Sequence, residues 1–94
     1  MVTAFTLVRA TREGLGRLGP QLADVEGVAE VYTVTGDWDF VVIVRVREHE
    51  ELARVVTGRL AKLEGIQRTS TMIAFQQFSQ HDLEAMFGLG LGED

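Results

Sequence analysis

Val25-Glu26-Gly27-Val28 recurs further along the chain as Leu63-Glu64-Gly65-Ile66. In both copies the tetrapeptide ends a stretch with helical periodicity and opens a stretch rich in β-branched residues. Glycine commonly ends a helix because it adopts the left-handed conformation at little cost. The repeat therefore predicts two successive strand–helix–strand units in one chain.

The first unit is predicted to begin with a strand over residues 2–10, in which successive side chains alternate between two faces. It is predicted to end with a second strand over Val28–Thr35. Between them one helix face is indicated at spacings of three and four residues by Leu15, Leu18, Leu22 and Val25. Three glycines and Pro20 interrupt this stripe. Because both residue types disfavour a helix interior, this helix is expected to start late, to kink or to depend on packing.

The second unit begins after the turn Gly36–Asp39 with a strand predicted over Trp38–Val46. A second helix opens with glutamates near residue 48, and its apolar stripe consists of Leu52, Val55, Val56, Leu60 and Leu63. The fourth strand is predicted over residues 66–78. Ser79–Asp82 is typical of a helix N-cap, so a short helix through Phe87 and a glycine-rich tail are expected. Residues 1–78 are thus predicted as the domain and 79–94 as its extension.

The order βαββαβ predicts an α+β protein with the ferredoxin-like split βαβ fold. Its four-stranded antiparallel sheet would carry both helices on one face. The third strand nevertheless has apolar residues on both faces, with Phe40 and Val42 on one side and Val41 and Ile43 on the other. We therefore expect a second subunit to cover the open face, as in a dimeric α+β barrel.

Composition excludes several classes of function. The 94 residues suit one domain, and the net charge of −5 disfavours direct nucleic-acid binding. The absence of cysteine excludes disulfides and zinc–thiolate sites. No apolar run approaches the roughly 20 residues of a membrane span, and no signal peptide is evident, so a cytoplasmic protein is expected. Neither histidine has convincing metal-ligand neighbours, and the glycine-rich tail lacks the context of a dinucleotide site, so no metal or cofactor is expected.

Two polar segments are candidates for ligand binding. In the turn Gly36-Asp37-Trp38-Asp39, the glycine would let a ligand approach the backbone and the carboxylates could hold an ammonium group. Asp-containing turns are also ordinary hairpin connections, although an indole at a loop tip favours a ligand or partner. Thr69-Ser70-Thr71 could bind a carboxylate through hydroxyl groups, or the threonines could be present because they favour strands.

Two longer strings resemble a known family. Residues 31–40, VYTVTGDWDF, and residues 63–73, LEGIQRTSTMI, resemble the strand–turn–strand core and the last strand of the effector domain of Lrp/AsnC, or feast/famine, regulators. This domain is called RAM, for regulation of amino acid metabolism. The resemblance spans about residues 2–76 in the order and spacing of that domain.

The resemblance implies a non-enzymatic module that binds an amino acid or a related effector. In the family, the sheets of two subunits pack face to face, and dimers form rings, often octamers, with effector bound between dimers. Carried over to this sequence, the ligand-binding positions are Gly36, Asp37, Trp38 and Asp39 of one subunit, with Thr69 and Thr71 from a neighbour. A helix-turn-helix domain normally precedes this domain and is not found here, so the chain resembles a stand-alone effector domain that acts alone or with full-length regulators.

Three alternatives share this topology. A dimeric α+β barrel enzyme, such as a cofactor-independent monooxygenase, would place substrate between sheet and helices among His, Trp, Tyr or Asn side chains. An ACT-like regulatory domain would use a glycine-containing turn after the first strand, and Thr11–Gly14 offers one. A purely structural assembly subunit would bind no ligand.

Overall fold

The computed structural model of the chain describes residues 1–80. Three elements form the first unit, β1 (Val2–Ala10), α1 (Leu18–Ala23) and β2 (Val28–Thr33). The second unit contains β3 (Phe40–Val46), α2 (His49–Ala53) and β4 (Ile66–Ile73). Between α2 and β4 the helical path continues as a π-helix and then a 3₁₀ turn, which span Arg54–Arg59 and Leu60–Lys62. The predicted βαββαβ order is confirmed.

The four strands form one sheet in the order β2-β3-β1-β4, and every neighbouring pair is antiparallel. At the centre, Phe5 of β1 lies between Ile43 of β3 and Met72 of β4. Since both helical segments lie on one side of the sheet, the predicted ferredoxin-like fold is confirmed.

The core lies between the sheet and the helices. Alternate positions of the two central strands face the helices, and the buried ones are Ala4, Thr6, Val8, Ala10, Phe40, Val42, Val44 and Val46. The helical segments contribute Leu18, Leu22, Leu52, Val55 and Leu60. All of these side chains except that of Thr6 are apolar, and their burial holds the two layers together.

The first helix is shorter than its apolar stripe and begins at Leu18. Leu15 is 48% exposed and does not join the core. The glycine-rich segment between β1 and α1 instead crosses the turn before β4. There the backbone N–H of Thr11 donates a 2.8 Å hydrogen bond to the carbonyl of Gly65. A β-carbon at Gly14 would lie 2.7 Å from that same carbonyl oxygen, so this close crossing requires glycine.

The strands are also shorter than predicted at three ends. Residues 34–35 and 38–39 belong to the loop between β2 and β3. The fourth strand stops at Ile73 because its partner β1 begins at Val2, and the last bond between them runs from the Ala74 N–H to the Thr3 carbonyl. The helix and tail predicted after Gln80 lie outside the described residues.

The second face of the sheet carries no helix among the described residues. It presents apolar side chains from all four strands, namely Phe5, Leu7, Tyr32, Val41, Ile43 and Met72. Tyr32 and Met72 are 50% and 51% exposed, and the other four are half-buried. We call this surface the open face. Within residues 1–80, no helix combines the length and the apolar character that a membrane crossing requires.

Candidate functional site

The loop between β2 and β3 is closed by backbone hydrogen bonds. The N–H of Val34 donates to the carbonyl of Asp39 over 3.0 Å, and the N–H of Asp39 donates to the carbonyl of Val8 over 2.9 Å. The carboxylate of Asp39 also accepts a 2.8 Å hydrogen bond from the N–H of Ala10. Asp39 therefore ties the loop to the end of β1, and one of its two carboxylate oxygens is already engaged.

The tip of the loop is open to solvent. Gly36 has a φ of +106°, and apart from its two chain neighbours no described residue has an atom within 4 Å of the position that a β-carbon would occupy there. This conformation is readily available to glycine and disfavoured for other residues. Asp37 follows it and is exposed. The tip thus offers backbone groups and an accessible carboxylate to a ligand.

Trp38 connects the loop to β4. The guanidinium carbon of Arg68 lies 5.0 Å from the centroid of the indole ring, which is within the range of a cation–π interaction. Arg68 pairs across the sheet with Arg9 of β1. Among residues 1–80, neither arginine forms an ion pair with an acidic residue. Two cationic groups therefore lie at the end of the sheet where the carboxylate of Asp37 is exposed.

The predicted hydroxyl residues lie on the helix side of β4. Thr69 is opposite Val8, and Thr71 is opposite Thr6. The hydroxyl oxygens of Thr71 and Thr6 are 3.0 Å apart and share a hydrogen bond. Thr6 is fully buried, whereas Thr69 and Thr71 are exposed on this edge strand, which no helix within residues 1–80 covers.

One chain brings only part of the predicted site together. The loop and the start of β4 lie at the same end of the sheet, where Trp38 contacts Arg68. Successive residues of a strand point to opposite faces, so Thr69 points away from the side on which Arg68 lies. Two open grooves, of about 290 and 480 Å³, lie at the other end of the sheet, near Met1 and Arg45. In a single chain the six predicted residues therefore form two separate surfaces.

Arg68 is a candidate residue that the sequence patterns did not assign. Its guanidinium group is suited to binding a carboxylate in two-pronged geometry. The predicted antiparallel pairing of β1 with β4 could have identified Arg68, because this pairing places Arg68 beside the loop that follows β2. Within the described part of the chain, no group of three or more histidine, aspartate and glutamate side chains is arranged to hold a metal ion.

Several relatives match most of the chain. An uncharacterized HTH-type transcriptional regulator of Pyrococcus horikoshii, PH1916, is 38% identical over 76 residues, which are 78% of this chain and 51% of the regulator. The chain thus spans about half the length of the curated relatives it matches. The crystal structure of TTHA0845 from Thermus thermophilus has a TM-score of 0.80 at 44% identity, and covers 85% of this chain and 100% of its own. The crystal structure of FFRP-DM1 has a TM-score of 0.75 at 35% identity, and the match covers 80% of this chain and 100% of FFRP-DM1.

More distant structures show the fold alone. A transcriptional regulator of Neisseria meningitidis, NMB0573, was solved as a complex with L-Met. It is 14% identical to this chain, with a TM-score of 0.75, and the match covers 84% of this chain and 53% of the regulator. The same α+β architecture is therefore present at very different levels of sequence identity.

The family assignment follows from the match to a family model. The Lrp/AsnC ligand-binding domain matches residues 3–83, which include all of β1 but its first residue, the other three strands, both helical segments and the loop at Gly36–Asp39. Relatives that share this region are HTH-type transcriptional regulators. The chain belongs to the Lrp/AsnC ligand-binding domain family.

Proposed function

We propose that this chain is a non-enzymatic module that binds an amino acid or a related small effector and assembles with further copies of itself. The observation that supports the proposal best is the arrangement of the loop. Asp39 anchors it, Trp38 packs on Arg68, and Asp37 remains exposed beside them. A rigid base with an accessible carboxylate and a nearby guanidinium suits a ligand that carries both charges.

The chemistry of a free amino acid fits these groups. Its ammonium group would bind the carboxylate of Asp37 and backbone carbonyls of the loop tip at Gly36. Its carboxylate would bind Arg68 or threonine hydroxyls. Because Thr69 and Thr71 of the same chain lie on the helix side of the sheet, a second copy would supply these hydroxyls. L-Met is a reasonable first ligand to test, since a regulator with this fold was solved with it.

The open face supports assembly into dimers. Its central residues, Phe5, Leu7, Val41 and Ile43, form cross-strand pairs that no helix of residues 1–80 covers. Apolar patches of this kind mark interaction surfaces, and the same patch on two copies suits a two-fold dimer. Dimers would then associate at the loop end into a ring, an octamer or a similar assembly.

Binding between dimers would couple effector to assembly. A ligand that contacts two dimers stabilises the assembled state by its difference in affinity for the two states. The module would act in the cytoplasm on the regulation of amino acid metabolism, alone or mixed with full-length Lrp/AsnC regulators. Its net charge of −5 favours partner proteins over direct contact with nucleic acid.

The side chains that an α+β barrel enzyme would use do not converge in the described part of the chain. Tyr32 lies on the open face, and His49 is exposed at the first position of α2. Trp38 packs against Arg68 at the loop. None of the three lies in the core between the sheet and the helices, which favours the binding module over the enzyme.

Calorimetric titration of each of the twenty amino acids into the purified protein tests this proposal. We expect one or a few to bind, and Asp37→Asn to weaken their binding at least tenfold, because hydrogen bonds to charged groups contribute about 1.5–3 kcal/mol. Asp24→Asn is the matched control, since Asp24 is exposed at the end of α1 and its substitution removes the same charge. Equal affinities for Asp37→Asn, Asp24→Asn and the unaltered protein would place the site elsewhere.

A further inference from the structure

A groove of about 290 Å³ lies at the end of the sheet opposite the Gly36–Asp39 loop. The end of β3, the second helical segment and the turn before β2 form its walls. Four of the nine basic residues of the chain line it, namely Arg45, Arg47, Arg54 and Arg59. Its acidic lining residues are Glu26 and Glu51. A chain with a net charge of −5 thus concentrates positive charge in one concave site.

The π-helix brings two of these arginines together. In an α-helix with 3.6 residues per turn, positions five apart point about 140° away from each other. A π-helix is wider and forms hydrogen bonds between residues five apart, so its positions i and i+5 lie on the same side. Arg54 and Arg59 are the first and last residues of this π-helix, and both line the groove. Single π-turns of this kind occur frequently at functional sites.

Acidic residues neutralise only part of this positive charge. The guanidinium of Arg45 lies 3.9 Å from the carboxylate of Glu30, and both side chains are nearly half exposed, so this is a weak surface pair. One carboxylate oxygen of Glu51 accepts hydrogen bonds from the backbone N–H groups of Arg47 and Glu48, so it caps the helix. Glu26 lies 3.8 Å from Arg59, but its side chain is 88% exposed, which makes this a weak surface pair. No acidic residue within residues 1–80 pairs with the side chain of Arg47 or Arg54.

The floor of the groove is fixed in position. Gly27 contributes to it, and a β-carbon there would come within 2.6 Å of Val55. The Gly27 carbonyl accepts a 3.0 Å hydrogen bond from the N–H of Arg45, and the Glu26 carbonyl accepts one of 3.0 Å from the guanidinium of Arg59. The arginines therefore extend from a backbone that is already held by hydrogen bonds and packing.

We propose that this groove binds a small polyanion of the diphosphate or polyphosphate class. Guanidinium groups bind phosphoryl oxygens in two-pronged geometry, and several of them suit a ligand with more charge than one carboxylate. A groove of about 290 Å³ accommodates a small phosphorylated molecule and no more than a short part of a duplex. The groove lies beyond the end of β3 at Val46, roughly 20 Å along that seven-residue strand from the loop at Asp39. It is therefore a second site, separate from the proposed amino-acid site.

Titration of inorganic pyrophosphate into the full chain, at constant ionic strength set with KCl, tests the proposal. We expect about one pyrophosphate per chain. Arg47→Gln and Arg54→Gln should each weaken binding about tenfold, because each removes hydrogen bonds to a charged group. Arg54→Lys should recover only part of that loss, since an ammonium group lacks the two-pronged geometry. Arg17→Gln, which removes an exposed arginine that does not line the groove, should bind as the unaltered protein does.

Three results would overturn the proposal. The first is no binding of pyrophosphate at millimolar concentration by a folded protein. The second is an equal loss of affinity in Arg17→Gln and Arg54→Gln, which would indicate general attraction to surface charge. The third is binding of a short DNA duplex that depends on Arg47 and Arg54 while pyrophosphate fails to bind. The thermal unfolding midpoint of each variant, compared with that of the unaltered protein, distinguishes lost binding from lost structure.

Discussion

Asp37 and Asp39 are two positions apart in the same loop but have different surroundings. The carboxylate of Asp39 accepts a hydrogen bond from the N–H of Ala10, whereas Asp37 is exposed at the tip. We therefore assign the first residue to holding the loop and the second to contacting the ligand. Trp38 lies between them and packs against Arg68.

Replacing the anchoring carboxylate should destabilise the fold. We expect Asp39→Ala to lower the free energy of unfolding by about 1–2 kcal/mol, because a hydrogen bond to a charged acceptor is lost and the Ala10 N–H remains partly buried. Asp37→Ala should leave stability nearly unchanged, as is usual for exposed positions. Urea denaturation of the two variants measures both effects. Equal losses of stability would contradict the different roles given to these carboxylates.

The sequence predicts the loop but not the roles within it. Gly36 and the two aspartates mark a turn with ligand-binding chemistry. Which carboxylate is free depends on Ala10, 29 positions away from Asp39, and becomes evident only when β1 and β3 are aligned. Arg68 is missed for the same reason, since its contact with Trp38 joins segments that are distant along the chain.

Secondary-structure elements were predicted in the correct order, and their ends were predicted less well. The repeated Glu-Gly tetrapeptide ends both helical segments, and the φ values of Gly27 and Gly65 are +99° and +98°. The start of α1 at Leu18 follows from the crossing of Gly14 over Gly65, a tertiary contact that periodicity does not reveal. The π-helix was not predicted either, since its apolar stripe resembles that of an α-helix.

Gly27 should be among the least replaceable residues of these elements. We expect Gly27→Ala to lower the free energy of unfolding by about 2 kcal/mol, because the left-handed conformation strains alanine and the new β-carbon would overlap Val55. The control is Gly58→Ala in the π-helix, where a new β-carbon would meet no described atom within 4 Å other than its chain neighbours and the backbone of its own helix. That change should be neutral or stabilising by about 0.5 kcal/mol, since alanine loses less backbone entropy than glycine in a helix. Comparable destabilisation of both variants in urea would contradict this account, because Gly58 has neither the left-handed conformation nor a contact like that with Val55.

At the scale of the whole molecule, the two faces of the sheet have different surroundings. The core is buried on the helix side of β1 and β3, whereas the open face presents Phe5, Leu7, Val41 and Ile43. The strand patterns predicted that both faces of the sheet are apolar and need a cover, because apolar residues at successive positions of β3 cannot all be covered by one layer of helices. Periodicity does not reveal what covers the open face. We propose that a second copy of the chain covers it.

A charge placed on the open face should prevent dimer formation. We expect Ile43→Lys to shift the protein from dimer or larger assembly to monomer, because a second copy could not pair with the buried ammonium group. Ala61→Lys, on an exposed position of the 3₁₀ turn, adds the same charge away from this face and should leave the assembly intact. Sedimentation velocity at micromolar concentration measures the change. An unchanged assembly in Ile43→Lys would assign the interface to another surface.

The coupling of effector to assembly is tested most directly by native mass spectrometry of the purified protein, with and without a mixture of the twenty amino acids. The proposed function predicts a ring of several dimers that carries adducts of amino-acid mass, and Asp37→Asn should reduce those adducts. A monomer or an isolated dimer without adducts, in both conditions, would contradict an effector site formed between dimers.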